Sequence, residues 1–156
     1  MEQSVISNIR DFLNQKRFAM VGVSRDKKHF SRSLYREFLK NGYTLEPVNR
    51  DTDAIEGQRC FRHIADVTPV VSYAIILAPG DQVEQTVHES YAAGIQNLWL
   101  YGIAGTHKNN KNILEYCEQN NINVIPGYCP FMFLEDTSKF HHIHGFFLKL
   151  TGKYPR

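Results

Sequence analysis

The sequence predicts a doubly wound α/β fold in which helices cover both faces of a five-stranded parallel sheet. Five short apolar runs of strand length, rich in β-branched or aromatic residues, recur along the chain. They are RFAMVGV (17–23), YTLEPVN (43–49), VSYAIILA (71–78), NLWLY (97–101) and INVIPG (122–127). Because these runs are apolar throughout rather than alternating, they indicate strands buried on both faces, as in parallel sheets.

The segments between the strands have the periodicity of helices. SRSLYREFLKNG, DQVEQTVHESYAAG and KNNKNILEYCEQNN carry apolar residues three or four positions apart, and two of them end in glycine. Helices that alternate with strands form right-handed crossovers, which place helices on both sides of the sheet. We therefore predict a Rossmann-like sheet with the strand order 3-2-1-4-5.

The two ends of the chain flank this repeat. Val5, Ile9, Phe12 and Leu13 are spaced as on one face of a helix, which predicts an N-terminal helix over about residues 3–15. The aromatic tail after the fifth strand, residues 128–156, is expected to end in a helix from about residue 139 to 150. No linker or repeat is visible, so residues 1–156 are predicted to form a single domain.

Composition limits the classes of function. The chain has 156 residues, 42% hydrophobic residues and a formal net charge of +2, which is too mild for a nucleic-acid-binding protein. No uncharged apolar run reaches the ~18 residues that a membrane-spanning helix needs. The 3 cysteines are odd in number and lack CxxC spacing, which argues against a disulfide framework. We expect a cytoplasmic protein that binds neither nucleic acid nor membranes.

The turn after the first strand carries the first candidate site. In doubly wound sheets, ligands bind beyond the carboxyl ends of the strands. In the stretch GVSRDKKHFS, Gly22 allows a close backbone approach and Ser24 supplies a hydroxyl. The cations that follow, Arg25, Lys27, Lys28 and Arg32, could meet phosphate groups. The full GxGxxG spacing is absent, so a purely structural glycine and a solvated basic helix start remain alternatives.

The residues after the second strand bear on the kind of nucleotide. A site for NAD favours an acidic residue here to bind the ribose hydroxyls. This chain instead has PVNRD, in which Asn49 and Arg50 precede Asp51. An arginine suits a ribose phosphate better, which favours NADP or coenzyme A, unless Arg50 is only a solvated loop charge.

Six segments in order resemble a known family. VGVSRD, GYTLEPVN, IEGQRCF, AIILAP, GIQNLWLYG and NVIPGYCP are similar to the small stand-alone coenzyme A-binding domains. That family is similar to the nucleotide-binding half of the succinyl-CoA synthetase alpha subunit. The resemblance covers about residues 16 to 131 and implies a Rossmann-like fold that binds CoA or an acyl-CoA over the carboxyl ends of its strands.

The resemblance also implies site residues. The positions that match the family's ligand-binding segments are Gly22, Val23 and Ser24 in the first turn, Pro47, Val48 and Asn49 after the second strand, Ala78 and Pro79 after the third, and Tyr101 and Gly102 after the fourth. The family often has proline where this chain has Arg50, which puts the role of Arg50 in doubt.

Residues for catalysis are sparse in the sequence. Cys129, in GYCPFM, follows the fifth strand at the ligand end and is a candidate nucleophile for acyl transfer, although its neighbours in sequence supply no base. His141, His142 and His144 form a cluster, but HxxH alone lacks the further ligands of a closed metal site, so no metal is predicted.

The leading hypothesis is therefore a non-catalytic CoA-binding carrier, sensor or accessory module. An NADP-dependent oxidoreductase, or an acyl-CoA-handling transferase that uses Cys129, is the first alternative. A ligand-free interaction scaffold is the second. The expected partners are the nucleotide ligand itself and either a second copy of the chain or a partner enzyme subunit.

Overall fold

The helices and strands follow the predicted alternation. The computed structural model describes residues 4–101 and 108–134. The helices are α1 (Val5–Asn14), α2 (Phe30–Lys40), α3 (Val83–Ala92) and α4 (Lys108–Gln119). The strands are β1 (Arg17–Val21), β2 (Thr44–Val48), β3 (Ala54–Ile55), β4 (Gln58–Arg59), β5 (Tyr73–Ile76), β6 (Asn97–Leu100) and β7 (Asn123–Pro126). Two short 3-10 helices span Ile64–Asp66 and Pro130–Phe133.

Five strands form one parallel sheet in the order β2-β1-β5-β6-β7, which confirms the predicted α/β class. The predicted order 3-2-1-4-5 is wrong, because the third predicted strand, β5, pairs with β1 instead of β2. The outer edge of β2 is already occupied. The Phe61 amide donates to the Pro47 carbonyl at 2.9 Å, and the Asn49 amide donates to the Phe61 carbonyl at 2.9 Å.

Helices cover both faces of the sheet, as predicted. Side chains alternate along β1, so Phe18 packs in the layer that contains Phe12 of α1 and Phe38 of α2. Ala19 packs on the opposite face, in the layer that contains Val87 of α3 and Ile113 of α4. Within the described part of the chain, no helix combines the length and the apolar character that crossing a membrane requires.

The hairpin formed by β3 and β4 was not predicted, because two-residue strands leave no periodicity to read. Its turn residues Glu56 and Gly57 have φ values of 49° and 74°. Two positive φ angles are typical of the type I′ turns that join short hairpins. The hairpin leaves the sheet after β2 and packs beside the N-terminal part of α2, next to the predicted ligand turn.

The C-terminal tail is described only in part. The Trp99 indole Nε1 donates to the Tyr128 carbonyl at 2.7 Å, which holds the start of the tail against β6. Phe131 and Leu134 are buried in the same layer as α1 and α2. The predicted helix over residues 139 to 150, and the histidines at 141, 142 and 144, lie outside the described residues.

Candidate functional site

A cleft of about 310 Å³ opens at the carboxyl ends of β1, β2 and β5. These ends lie level, since Val21 is in register with Val48 of β2 and with Ile76 of β5. The connections from β1 and β5 lead to helices on opposite faces, so the cleft lies at the switch point of the sheet. Switch points are where open α/β sheets bind ligands.

Seven of the residues singled out from the sequence line this cleft. They are Gly22, Ser24, Val48, Asn49, Arg50, Ala78 and Pro79. They come from three separate stretches of chain, after β1, at the end of β2 and after β5, of which the first and third are more than 50 positions apart in the sequence.

Gly22 closes the β1 end of the cleft. Its φ is +93°, and a Cβ atom at this position would lie 3.0 Å from the Ala78 nitrogen and 3.0 Å from the Leu77 carbonyl carbon. Its amide donates to the Val48 carbonyl at 2.9 Å. Both the positive φ and the close contact require glycine, which brings the three strand ends together and leaves backbone exposed to the cleft.

Ser24 is held by hydrogen bonds within the protein. Its amide donates to the Ser31 Oγ at 2.8 Å, and its own Oγ accepts from the Asp26 amide at 3.1 Å. The Ser31 Oγ also lies 2.8 Å from the Nδ1 of His29, the N-cap residue of α2. The Ser24 amide is thus already engaged, and the hydroxyl of Ser24 is its donor toward the cleft.

Asn49 connects the end of β2 to the turn after β1. Its side-chain amide donates to the Val23 carbonyl at 2.7 Å, and its Oδ1 accepts from the Asp51 amide at 2.7 Å. Val23 itself is fully buried in the core. Pro47 is a buried strand residue whose carbonyl bonds the Phe61 amide. Val23 and Pro47 therefore support the cleft from behind and do not line it.

The basic residues divide into two groups. Arg50 lines the cleft, where its Nη2 lies 3.2 Å from Glu89 Oε1. Arg25 and Arg32 line a separate cavity of about 450 Å³ between the turn and the β3–β4 hairpin. Arg25 is exposed, whereas the Arg32 side chain is only 5% exposed. The sequence predicted that these cations surround one ligand. In the structure, Arg50 lies on one side of the turn after β1, and Arg25 and Arg32 lie on the other.

Tyr101 lies at the end of β6 and does not line the cleft. Its ring stacks on Phe30 with a centroid distance of 5.1 Å, and the Phe30 ring also contacts Phe131 at 5.4 Å. These three rings form an aromatic wall at the carboxyl ends of β6 and β7. Gly102 lies outside the described residues.

The cysteines are all free. Cys129 is the N-cap residue of the 3-10 helix Pro130–Phe133, and it does not line the cleft. Burial raises the pKa of its thiol, which is the opposite of the change that activates a nucleophilic cysteine. Burial likewise raises the pKa of Cys60, and it raises the pKa of Cys117 to about 11.

Several cleft residues were missed by sequence reasoning. Arg62, His63, Gln82, Thr86 and Glu89 all line the cleft. The last three lie on or beside α3, whose periodicity identified its buried face but not the residues that border a ligand. Within residues 4–101 and 108–134, no group of three histidine, cysteine or acidic side chains is placed to hold a metal ion.

Comparison with known proteins identifies the family of this chain. A family model described as CoA binding domain matches residues 16–135. The alpha subunit of ADP-forming acetate-CoA ligase II from Pyrococcus furiosus is 22% identical over 125 residues, which are 76% of this chain and 27% of that subunit. An ADP-forming acetate-CoA ligase II from Archaeoglobus fulgidus is 24% identical over 127 residues, 76% of this chain and 19% of the ligase. The chain thus spans about a quarter or less of these relatives.

Solved structures show the same fold. A conserved hypothetical protein from Pyrococcus furiosus superposes with a TM-score of 0.64 and 24% identity, covering 74% of this chain and 95% of that one. The dinucleotide-forming acetyl-coenzyme A synthetase 1 of Candidatus Korarchaeum cryptofilum, in complex with phosphate and ADP, gives a TM-score of 0.68 and 22% identity, covering 76% and 26%. Since the family model spans most of its length, the chain belongs to the CoA binding domain family.

Proposed function

We propose that this protein binds coenzyme A or an acyl-CoA in the cleft at the carboxyl ends of β1, β2 and β5. The observation that carries the proposal is the Gly22 turn, which exposes backbone at the switch point of the sheet in a chain of this family. The cleft volume of about 310 Å³ is near the lower end of the ~300–1,000 Å³ typical of small-molecule sites. It suits the nucleotide part of CoA and leaves the long neutral arm outside.

The polar residues of the cleft suit an anionic nucleotide. Arg50, Arg62 and His63 supply positive charge or hydrogen-bond donors, and the Ser24 hydroxyl supplies another donor. Arg50 is bonded to Glu89 without ligand, so a phosphate must compete with this carboxylate. Because the Arg50 side chain is 58% exposed, its salt bridge with Glu89 is weak, and a phosphate can displace the carboxylate at a small cost in free energy.

We propose that the neutral arm runs from the cleft toward the aromatic wall of Phe30, Tyr101 and Phe131. The wall lies at the carboxyl ends of β6 and β7, which follow β5 in the sheet, and Phe30 is the first residue of α2. We place the arm along this wall because a long, largely neutral chain gains most from apolar surface. The wall is the second part of the proposed site, after the cleft.

The proposed role is that of a non-catalytic carrier, sensor or accessory module. Burial raises the pKa of the Cys129 thiol, which speaks against an acyl-transfer nucleophile. The Pyrococcus furiosus relative is described as a ligase subunit, and this chain matches about a quarter of it. We therefore propose that the chain works either as a homodimer or beside a partner enzyme subunit, in the cytoplasm.

An NMR titration tests where the ligand binds. Addition of CoA to ¹⁵N-labelled protein is expected to shift the amide signals of Gly22, Ser24 and Ala78, which border the cleft. The amides of Asn97 and Asn123, at the amino ends of their strands, are expected to stay unchanged. Shifts confined to the amino ends of the strands, or no shifts at saturating CoA, would contradict the proposed site.

A further inference from the structure

Arg32 joins the turn after β1 to the β3–β4 hairpin. Its Nη2 and Nε atoms donate to Glu56 Oε1 at 2.6 Å and 3.2 Å. Its Nη1 atom donates to the carbonyls of Ser24 and Arg25, each at 3.2 Å. One buried guanidinium therefore has partners on both segments, and nearly all of its surface is already in contact with protein.

Arg36, one turn further along α2, repeats this arrangement. Its Nη1 lies 3.0 Å from Glu56 Oε1, and its Nη2 donates to the Lys27 carbonyl at 2.9 Å. Arg32, Arg36 and Glu56 thus form an ionic clamp, in which one carboxylate on the hairpin binds two guanidinium groups of α2. The Tyr35 hydroxyl, between the two arginines, donates to Gln58 on the same hairpin.

The hairpin residue in the clamp has an unfavourable backbone conformation. Glu56 has a φ of +49°, in the left-handed region that glycine and asparagine tolerate better than glutamate. Residues in this region persist where their surroundings hold them, and they are common at ligand-binding sites. The contacts of the Glu56 carboxylate with Arg32 and Arg36, together with the pairing of β3 and β4, hold it there.

The clamp fixes the orientation of the peptide groups from residue 24 to 28. Three carbonyls of this turn, those of Ser24, Arg25 and Lys27, point at guanidinium groups. In a trans peptide, the following N–H points in the opposite direction, so the amides of Arg25, Asp26 and Lys28 point away from the clamp. The Asp26 amide donates to Ser24 Oγ at 3.1 Å and the Lys28 amide to Asp26 Oδ1 at 2.9 Å, within the turn itself. The side of the turn that carries N–H groups is thus set by α2 and the hairpin.

We infer that Arg32 and Glu56 are positioning residues of the proposed CoA site, which hold the turn of residues 24–28 in its binding conformation by fastening it to the β3–β4 hairpin. The inference rests on the proposed function. It also gives Arg32 a role different from the one predicted for it: Arg32 acts through the carbonyls of the turn and not by contact with a phosphate. Glu56 balances the buried charge of Arg32.

Two variants and one control test this role by isothermal titration calorimetry with CoA. Glu56→Gln keeps an acceptor but removes the charge, which weakens its bonds to both arginines. Arg32→Lys keeps a positive charge but loses the planar fork that binds three partners at once. The control is Glu46→Gln, because Glu46 of β2 also pairs with an arginine, Arg17 of β1, at 3.0 Å, and it is not a member of the clamp.

We expect both clamp variants to bind CoA about tenfold more weakly than the wild type and the control to stay within about twofold. Amide hydrogen exchange in residues 24–28 of the ligand-free protein should rise in both clamp variants and not in Glu46→Gln. If the clamp only stabilised the fold, both variants would lose thermal stability but bind CoA with the affinity of the wild type. The affinities are therefore measured at a temperature at which every variant is folded.

The outcomes separate the clamp from the proposed function. Wild-type affinity for CoA in either folded clamp variant overturns the clamp while leaving the proposed function in place. Unchanged exchange of residues 24–28 in those variants also overturns it. A wild-type protein that binds no CoA contradicts the proposed function, and the clamp's role in binding CoA falls with it.

Discussion

Gly22 and Ala78 approach each other so closely that a Cβ atom on residue 22 would lie 3.0 Å from the Ala78 nitrogen. This contact joins the turn after β1 to the loop after β5, the two segments that flank the switch point of the sheet. A side chain at position 22 would push these segments apart. It would also have to adopt a φ of +93°.

Replacement of Gly22 by alanine is expected to destabilise the protein and to weaken CoA binding. The positive φ alone costs about 1–2 kcal/mol for a residue with a Cβ atom, and the close backbone contact adds to it. The matched control is Gly42→Ala, where φ is +83° and no atom lies within 4 Å of the added Cβ. Urea unfolding should show the larger loss for Gly22→Ala, and equal losses would contradict the close approach.

Filling the turn side of the cleft is expected to abolish CoA binding without unfolding the protein. Ser24→Trp places a large side chain at a partly exposed position that lines the cleft. Ser72→Trp, at an exposed position just before β5 and away from the cleft, is the control. Calorimetry should detect CoA binding to the control alone. Retained affinity in a folded Ser24→Trp variant would place the site elsewhere.

The contribution of the clamp to stability is expected to fall at acid pH. Hydrogen bonds from Arg32, and then from Arg36, hold the pKa of Glu56 below its usual range. A carboxyl group whose pKa is lowered by folding stabilises the protein above its unfolded pKa, about 4.3 for glutamate, and loses that effect as the pH falls through the folded pKa.

Urea unfolding of the wild type and of Glu56→Gln at pH 7, 5 and 3 measures this effect. The difference in unfolding free energy between them should be equal at pH 7 and 5 and smaller at pH 3. Since the glutamine side chain does not titrate, the variant serves as the reference. A difference that does not shrink at pH 3 would show that the charge of Glu56 contributes nothing to the clamp.

Replacement of Cys129 by serine is expected to leave CoA affinity within about twofold of the wild type. The thiol lies outside the cleft, at the start of the 3-10 helix Pro130–Phe133, and burial raises its pKa. Calorimetry gives the affinity, and incubation with acetyl-CoA followed by mass spectrometry detects any acyl-enzyme. Acetylation of Cys129 that the variant loses would favour the transferase alternative.

Sequence reasoning identified the strands and helices because their signals are local. Strand order depends on contacts that are distant in sequence. The pairing of Phe61 with Pro47 and Asn49 closes the outer edge of β2, and nothing in the local pattern of residues 59–61 marks them as its neighbour. β5 consequently pairs with β1, which moves the switch point to the gap between these two strands.

The difference between local and long-range signals also explains which residues of the site could be predicted. The glycine and serine of the first turn were recognisable because a turn after a strand has a local composition. The burial of Arg32 could not be recognised from the local sequence, since its partner Glu56 lies 24 positions away in an unpredicted hairpin. Arg32 was therefore grouped with the exposed cations Arg25, Lys27 and Lys28. His63 reaches the cleft through the same long-range folding of the segment after β2.

Thermal unfolding of ligand-free protein with CoA, dephospho-CoA, acetyl-CoA, NADP and NAD at equal concentrations tests the central claim most directly. A ligand at about 100 times its Kd adds ~2.7 kcal/mol, a shift of several degrees for a chain of this size. We expect CoA and acetyl-CoA to stabilise the protein, and CoA to do so more than dephospho-CoA. Stabilisation by NADP alone, or by none of the five ligands, would contradict the account.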